Sequence, residues 1–236
     1  MIEDKAKKQP AAFFDVDNTL VRGSTAFLYA KVAIEIGVFK RSDVWRMGFE
    51  HLRFIWRGEN NDRMAAIKDQ ALSLIAGASR EEMNSLMQKV WDKEIKRKVY
   101  PGMVEIVQEH LNSGREVWLI TASPQELGDL IAENIGATGA LGTQVEHKDG
   151  VMTGRLVGHP LHGIEKAKAA KKLAKKRNLS LRRSWAYSDS RNDLPLLTLV
   201  KHPVAVNPDK LLKRHARAAN WKILNFSKKD LRSKSQ

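Results

Sequence analysis

The sequence predicts an α/β protein in which a mostly parallel β-sheet is covered by helices on both faces. Short apolar runs of strand length alternate with stretches of helical periodicity along most of the 236 residues. The span 24–98, directly after the first apolar run, holds helical patterns and no convincing strand. The predicted fold is therefore a parallel-sheet core with an all-helical insertion after the first strand.

Four apolar runs are predicted to be strands of the sheet. The first contains two phenylalanines and ends in carboxylates, and its short length and aromatic content favour a buried strand over a helix. The predicted strands are Ala11–Asp15, Glu116–Ala122, Trp185–Ser188 and Pro203–Val206. Because helical patterns lie between them, we expect the strands to run parallel.

The insertion is predicted to form a small helical bundle. A Ser-x-x-Glu capping box at Ser79 and Glu82 marks the start of its last helix. The predicted helices are 25–39, 43–57, 62–76 and 80–97. We therefore expect two domains, a core formed by residues 1–23 and 99–236 and a helical domain formed by residues 24–98.

Three further elements complete the predicted core. A helix over Pro101–Ser113 is expected to stop at Gly114. The run Ser-Pro-Gln-Glu at 123–126 is typical of a capping box and predicts a helix that continues to about Ile135. Residues 140–158 are predicted to form a β-hairpin that turns at 148–150.

Composition excludes several classes of protein. The chain is 42% hydrophobic and has no cysteine, which excludes a disulfide scaffold, cysteine-ligated metal sites and thiol nucleophiles. No apolar run approaches the roughly 18 residues that a transmembrane helix needs. The lysine-rich start lacks the apolar core of a signal peptide, so we expect a cytoplasmic protein.

The net charge of +14 is concentrated late in the chain. Residues 166–183 hold nine basic residues and no acid, and residues 201–236 hold ten basic residues against two acids. A local field of that sign favours anionic partners, such as a phosphorylated metabolite, an anionic lipid surface or nucleic acid. No nucleic-acid-binding motif accompanies the basic residues, so we expect at most a weak contact with an anionic surface.

A pair of acids follows the first predicted strand, in the run Asp-Val-Asp-Asn-Thr. Strand side chains alternate, so Asp15 and Asp17 can point to the same face. Two carboxylates this close repel each other unless a cation or a shared proton compensates, which suits Mg²⁺. The alternative is a strand that runs into a polar turn, where Asp and Asn are favoured.

A second acidic run, Ser-Asp-Ser-Arg-Asn-Asp, follows the third predicted strand. It places Asp189 and Asp193 at a carboxyl end of the parallel sheet, where open α/β sheets bind ligands. The alternative is a helix start whose acids favour the helix dipole. With two acidic strand ends in one sheet, we expect both to face the same crevice.

Two residues that could bind phosphate lie between these acidic runs. Thr121 ends the second strand just before a helix, and helix N-termini offer free amides to phosphate. Lys166 stands at the start of a basic helix. The alternative is that Thr121 is structural and that Lys166 lies on a solvated face of that helix.

The order of these features resembles the haloacid dehalogenase-like hydrolase superfamily. The segment from Phe13 to Asp193 contains four motifs in order: Asp-x-Asp-x-Thr, a Thr that ends a strand, a Lys, and Asp-x-x-x-Asp. The helical insertion resembles the cap of the phosphoserine-phosphatase-like branch, and the segments SDSRNDLPLL and HPVAVNP are similar to a bacterial subgroup of that branch. The resemblance implies a Rossmann-like core with a helical cap.

The resemblance implies a phosphomonoester phosphatase that uses Mg²⁺ and acts on a small phosphorylated metabolite. Asp15 would be the nucleophile that becomes an aspartyl phosphate. Asp17 would protonate the leaving oxygen and then activate the hydrolytic water. The resemblance also implies that Thr121 and Lys166 bind the transferring phosphoryl group, with help from Asn192.

The resemblance also implies a set of metal ligands. Asp15 and Asp189 would supply carboxylates to Mg²⁺, and Asp17 would supply its backbone carbonyl. Asp193 would hold the metal site through water. A carboxylate can attack a phosphate dianion only where cations neutralise both groups, so this set of ligands makes chemical sense.

The sequence departs from the phosphoserine phosphatases at one position. In those enzymes a glutamate shortly after the first motif binds the substrate amine, and here Ser24 stands in its place. A serine cannot form that ion pair. Related members of the subgroup act on histidinol phosphate, which also carries an amine, and the sequence does not choose between the two substrates.

Other functions use the same residues or the same charge. A phosphomutase would keep the nucleophile but return the phosphoryl group, and a lipid-phosphate phosphatase would use the basic helix at a membrane surface. A degenerate relative would be a non-catalytic protein that binds RNA or anionic membrane. The intact acids at positions 15, 17, 189 and 193 argue against degeneracy.

Overall fold

The computed structural model describes residues 8–37 and 76–232 of the chain. The predicted helix 43–57, and all of the predicted helix 62–76 except its last residue, lie in the segment 38–75, outside the described residues. In the described part of the chain, no helix is long and apolar enough to cross a membrane.

The chain divides into two compact units. The first comprises Met1–Thr25, Arg97–Thr143 and Pro160–Gln236, and the second comprises Ala26–Lys96 and Gln144–His159. The predicted domain bounds at 23/24 and 98/99 stay a prediction. Every acidic, threonine and lysine position that the sequence predicts for the site belongs to the first unit.

The first unit contains a parallel β-sheet. Its strands are β1 (Ala11–Phe14), β2 (Glu116–Pro124), β3 (Gly139–Thr143), β6 (Trp185–Ser188), β7 (His202–Val206) and β8 (Lys222–Leu224). The six lie in the order β3-β2-β1-β6-β7-β8, and every neighbouring pair is parallel. In β1, Phe13 pairs with Trp118 on one side and with Ala186 on the other, so this strand is central. The predicted parallel α/β fold is confirmed.

Helices connect the strands, as the alternating pattern predicts. The helices are α1 (Thr25–Glu35), α2 (Arg80–Val90), α3 (Pro101–Asn112), α4 (Gln125–Ile135), α5 (Ile164–Lys176), α6 (Leu194–Leu197) and α7 (Lys210–Ala218). The basic helix predicted around Lys166 is α5. Its buried stripe consists of Ala167, Ala170, Leu173 and Ala174, which are apolar although the rest of the helix is rich in lysine.

The capping box predicted at Ser123 is wrong. Strand β2 runs on to Pro124, and α4 begins at Gln125 without a side-chain cap. The Ser123 hydroxyl lies instead 2.7 Å from the hydroxyl of Thr25. The local pattern predicted that the Ser123 side chain caps the helix. In the folded chain it instead contacts a residue nearly one hundred positions away.

The predicted hairpin is shorter than expected. Residues 139–143 form β3 of the main sheet, and the hairpin consists of β4 (Val145–Lys148) and β5 (Val151–Leu156). The turn lies where the sequence predicts it. Asp149 and Gly150 have φ angles of 51° and 79°, the left-handed conformations that a tight hairpin turn of this kind needs.

The two described helices of the predicted insertion, α1 and α2, begin at the predicted residues, Thr25 and Arg80. Helix α2 follows Ser79, whose hydroxyl accepts from the Glu82 amide at 3.1 Å while the Glu82 carboxylate accepts from the Ser79 amide at 2.8 Å. The capping box predicted there is confirmed. The α-helix stops at Val90, and a π-helical turn (Trp91–Ile95) and a 3₁₀ turn (Lys96–Lys98) continue to the end of the predicted span.

The two phenylalanines of β1 face opposite sides of the sheet because side chains alternate along a strand. Phe13 belongs to a buried cluster with residues of α5, α6 and α7, including Leu173, Leu197 and Leu212. Phe14 stacks on Tyr187 with ring centroids 4.2 Å apart. Both faces of the sheet are therefore filled around the strand that carries the first acidic motif.

A buried histidine joins helix α3 to the sheet beside Phe14. The Nδ1 atom of His110 accepts a hydrogen bond of 2.7 Å from the Arg115 guanidinium. Nε2 therefore carries the proton and donates to the Tyr187 hydroxyl at 2.8 Å. Burial, with the nearby positive charge of Arg115, lowers the pKa of His110 to about 4.

His110 is expected to make the fold less stable in acid. Between its unfolded pKa of 6.5 and its folded pKa of about 4, the unfolded chain binds a proton that the folded protein excludes. The free energy of unfolding should therefore fall as the pH drops through this window. Urea unfolding at pH 7.0 and 4.5 should show a smaller fall for His110→Gln than for the wild type, and equal falls would contradict the assignment.

Candidate active site

A buried lysine lies between two buried carboxylates at the carboxyl edge of the sheet. The Lys166 ammonium donates to Asp15 Oδ1 at 2.5 Å and to Asp193 Oδ2 at 2.8 Å. At most 5% of each of these three residues is exposed. Burial of a charge is costly unless it is paired and hydrogen-bonded, and here one cation pairs with two anions.

Two hydroxyl groups also donate hydrogen bonds to these carboxylates. Asp15 Oδ2 accepts from the Thr19 hydroxyl at 2.9 Å. Asp193 Oδ2 accepts from the Ser188 hydroxyl at 2.8 Å, in addition to Lys166. Both oxygens of Asp15 therefore have a donor, and its side chain is fixed before any ligand binds.

Local structure places the three charges together. Asp15 directly follows β1, and its amide donates to the Tyr187 carbonyl at 2.9 Å, which continues the pairing with β6. Lys166 lies in the first turn of α5, which follows Gly163 with a φ angle of 54°, a backbone conformation that favours glycine. Asp193 ends a 3₁₀ turn whose N-cap is Ser190.

The site carries more negative than positive charge. Burial and the repulsion of Asp193 raise the pKa of Asp15 to about 6 in spite of the nearby Lys166 ammonium. Burial and the charges of Asp15 and Asp193 raise the pKa of Asp189 to about 7. Burial alone would lower the pKa of Lys166, but its two carboxylate partners outweigh burial and raise it. The carboxyl edge of the sheet therefore favours the binding of a further cation.

The second acid of the first motif has a different environment. Asp17 is half-buried, and its Oδ1 accepts from the Thr25 amide at 3.0 Å and from the Thr25 hydroxyl at 2.6 Å. The Thr25 hydroxyl also meets the Ser123 hydroxyl at 2.7 Å. The amide of Ser123 donates in turn to the Thr121 hydroxyl at 3.1 Å.

The turn between Asp17 and Thr19 is held by Asn207, the residue directly after β7. Asn18 has a φ of 54°, and its carbonyl accepts from the Asn207 side-chain amide at 2.8 Å. Asn207 also accepts from the backbone amide of Phe226 at 2.6 Å. The Asn18 side chain lies near Asp189 and partly offsets the rise in the pKa of that carboxyl, so this turn lies between the two acidic motifs.

The predicted site residues do not all meet in one network. Asp15, Lys166 and Asp193 are in direct contact, while Asp189 is coupled to them by charge. The Thr121 hydroxyl is buried and accepts from Ser123. Asn192 is exposed, and its side chain makes no hydrogen bond to the rest of the described chain.

Four residues with direct roles in this geometry were missed by sequence reasoning. They are Thr19, Thr25, Ser123 and Ser188. Thr19 and Ser188 stand inside the two acidic motifs, so the motifs themselves were the available signal. Thr25 offered no signal, because only the folded chain brings its hydroxyl to Asp17 and Ser123.

The donor set at this edge fits a hard cation only with help from the backbone or water. Within residues 8–37 and 76–232, no three histidine, aspartate or glutamate side chains converge closely enough to hold a metal ion. Asp15 and Asp189 nevertheless have raised pKa values, in part because carboxylates repel each other there. A hard cation takes backbone carbonyls and water as well as carboxylates, so these oxygen donors fit Mg²⁺.

Comparison with known proteins identifies the family. The model of the haloacid dehalogenase-like hydrolase family matches residues 12–198, which include every site residue that the sequence predicts. The chain belongs to this family. The predicted family is therefore confirmed, and with it the prediction that the protein is a hydrolase.

Individual relatives and a solved structure are similar to this chain over most of its length. A Mycobacterium tuberculosis protein named phosphoserine phosphatase is 46% identical over 217 residues, which cover 92% of this chain and 70% of that protein. A Neisseria meningitidis histidinol-phosphatase is 31% identical, and the match covers 91% of this chain and 98% of that protein. A solved structure of a Bordetella pertussis protein has a TM-score of 0.83 at 27% identity and covers 92% of this chain and 98% of its own.

Removal of the Lys166 charge is expected to destabilise the hydrolase strongly. In Lys166→Met, Asp15 and Asp193 would face each other without a cation, and loss of one partner of a buried ion pair costs about 3–5 kcal/mol. The free energy of unfolding, measured with urea, should fall by about that amount. Adding Asp193→Asn should recover part of the loss, and a double variant as unstable as the single one would contradict this electrostatic account.

Proposed function

We propose that the protein is a Mg²⁺-dependent phosphomonoester phosphatase that forms an aspartyl phosphate on Asp15. The observation that carries this proposal is the fixed Asp15 carboxylate, with Lys166 on one oxygen and a hydroxyl on the other. A second acid, Asp17, lies two residues away in a more open position. The pair supplies a nucleophile and an acid-base group.

The proposed reaction has two steps. An Asp15 oxygen attacks the phosphorus of the substrate, and the ester oxygen leaves with a proton donated by Asp17. Asp17 then removes a proton from a water molecule, which attacks the same phosphorus. Phosphate leaves, and the Asp15 carboxylate is restored. Because Thr25 occupies Oδ1 of Asp17, the proton passes through Oδ2.

The neighbours of Asp15 favour attack on an anion. The Lys166 ammonium lowers the repulsion between the Asp15 carboxylate and a phosphate dianion, and the geometry fixes it before substrate arrives. Thr121 and Asn192 are proposed to bind the phosphoryl oxygens. Asn192 is exposed and its side chain makes no bond within the described chain, so it is available to a ligand.

Mg²⁺ is proposed to bind between the two acidic motifs. Asp15 and Asp189 would hold it with their carboxylates and Asp17 with its backbone carbonyl, while Asp193 would hold a bound water. When bound, the metal supplies positive charge that polarises the phosphoryl group. The surplus of carboxylates, which raises the pKa values of Asp15 and Asp189, supports this assignment.

The proposed substrate is a small phosphorylated metabolite. Two relatives are named phosphoserine phosphatase and histidinol-phosphatase. Phosphoserine and histidinol phosphate are both phosphate esters that carry an amine. Ser24, which stands where phosphoserine phosphatases have glutamate, is exposed and uncharged. A panel of phosphate esters that includes both compounds, assayed with Mg²⁺, would identify the better substrate.

Replacement of the nucleophile tests the proposed mechanism. Asp15→Asn should abolish steady-state phosphatase activity, because an amide is nearly the same size but a far weaker nucleophile. Phosphate release from a panel of esters is the measurement. Asp129→Asn is a matched control at an exposed aspartate of α4 and should keep wild-type activity. Substantial turnover by Asp15→Asn would refute the covalent mechanism.

Removal of metal tests the proposed cofactor. A chelator should silence the enzyme, and added Mg²⁺ should restore it, because oxygen ligands at this edge suit a hard cation. Ca²⁺ should restore activity poorly, since its larger and looser coordination misplaces the nucleophile and the phosphate. Full activity after exhaustive chelation would be incompatible with the proposed site.

The Thr25 hydroxyl is expected to orient Asp17 for proton transfer. Loss of a hydrogen bond to a charged group costs about 1.5–3 kcal/mol, so Thr25→Val should lower kcat about 10- to 100-fold for alkyl phosphates. An aryl phosphate with a good leaving group needs little protonation, so its first step should change much less. Single-turnover assays with both substrates measure the difference.

A conservative variant separates this role from a structural one. Thr25→Ser keeps the hydroxyl and should restore most of the alkyl-phosphate rate. Asp17→Asn should show the same dependence on leaving group as Thr25→Val. If Thr25→Val slows both substrates equally while Asp17→Asn does not, the hydroxyl supports the fold rather than the proton donor.

A further inference from the structure

A basic groove lies on the first unit, away from the catalytic edge. It is a cavity of about 440 Å³. The cations that line it are Lys8, Lys171, Lys175 and Arg182, and all four are exposed. No carboxylate lines it. This basic groove accounts for part of the charge cluster at 166–183 that the proposed phosphatase site does not use.

The cations of the basic groove have no anionic partner. Within the described ranges 8–37 and 76–232, none of the four forms an ion pair. Other cations of the same region do so: Lys168 lies 2.6 Å from Glu165, and Arg177 lies 2.7 Å from Glu116. The groove therefore concentrates positive charge that the described chain leaves uncompensated, although the chain neutralises cations nearby.

Backbone hydrogen bonds hold the groove in shape. The segment before β1 pairs with the segment after α5 through a parallel bridge between Gln9 and Leu179. The amide of Ser180 donates to the Gln9 carbonyl at 2.7 Å, and the amide of Leu179 donates to the Ala174 carbonyl at 2.8 Å. These bonds fix the backbone beside Lys8 and Arg182 against the end of α5.

The groove is separate from the phosphatase site. Lys166, which contacts Asp15, is buried at the start of α5. Lys171 and Lys175 follow five and nine residues later, about 7.5 and 13.5 Å further along the helix axis. A phosphoryl group beside Asp15 is therefore out of their reach, and the two sites can be tested independently.

We propose that the basic groove binds a soluble anion that carries several phosphate groups. Four like charges around one depression repel each other, and a multiply charged anion between them would relieve that repulsion. A concave surface suits a compact or narrow ligand rather than a flat bilayer. The groove is also lined by none of the large apolar side chains that are exposed elsewhere, so it offers nothing to insert into lipid.

Binding of tripolyphosphate tests the proposal. Calorimetric titration without divalent metal should show binding to the wild type that weakens as salt is raised. A groove variant, Lys171→Gln with Lys175→Gln and Arg182→Gln, should bind about tenfold or more weakly, a loss of about 1.4 kcal/mol. Its phosphatase activity should match the wild type, because none of these residues belongs to the proposed catalytic site.

A control variant removes the same charge outside the groove. Lys172→Gln with Lys176→Gln and Lys222→Gln lowers the net charge equally at exposed positions and should bind tripolyphosphate like the wild type. Circular dichroism should show that both variants are folded. Equal losses in the two variants would mean that net charge alone attracts the anion, which would overturn the proposal.

Two other outcomes would also overturn it. One is the absence of measurable binding by the wild type at low salt. The other is binding to vesicles that contain phosphatidylserine but not to tripolyphosphate, which would assign the surface to a membrane. Neither outcome would affect the proposed phosphatase function, because that function is tested by Asp15→Asn.

Discussion

The contact of one buried ammonium with two buried carboxylates is the constraint on which the rest of the site depends. Asp15 follows the central strand, Lys166 lies in the first turn of a helix far along the chain, and Asp193 ends a short 3₁₀ turn. A lone charge of this kind would cost several kcal/mol to bury, so the three segments are stable only together. The strand, the helix and the turn are thereby fixed at one edge of the sheet.

Two aspartates of the same motif acquire different chemistry from their surroundings. Asp15 is buried, and each of its oxygens has a donor, which suits a nucleophile that must not move. Asp17 is half-buried and held on one oxygen by Thr25, which leaves the other for proton transfer. The two side chains are chemically identical, so the different roles that we propose, nucleophile for Asp15 and acid-base group for Asp17, follow from their hydrogen bonds and burial.

The lysines of α5 divide in a similar way. Lys166 is buried among carboxylates, whereas Lys171 and Lys175 are exposed without an anionic partner among the described residues. Their sequence context is almost the same, a helix of alanine and lysine. Position along the helix decides which lysine reaches the sheet edge and which lie on the surface. A basic run can therefore contain one lysine that is buried between carboxylates and several that lie exposed on another surface.

The strand before Asp15, the strand before Asp189 and the helix that contains Lys166 could be predicted from the sequence, because they follow from local periodicity and from motifs a few residues long. The parallel order of the sheet followed from the alternation of strands and helices. Two contacts, by contrast, depend on the folded chain: Ser123 bonds to Thr25 rather than capping a helix, and Thr25 bonds to Asp17 of the first motif. Those bonds join residues that no local pattern relates, and a hydroxyl is satisfied by whichever partner the packed chain brings within hydrogen-bond distance.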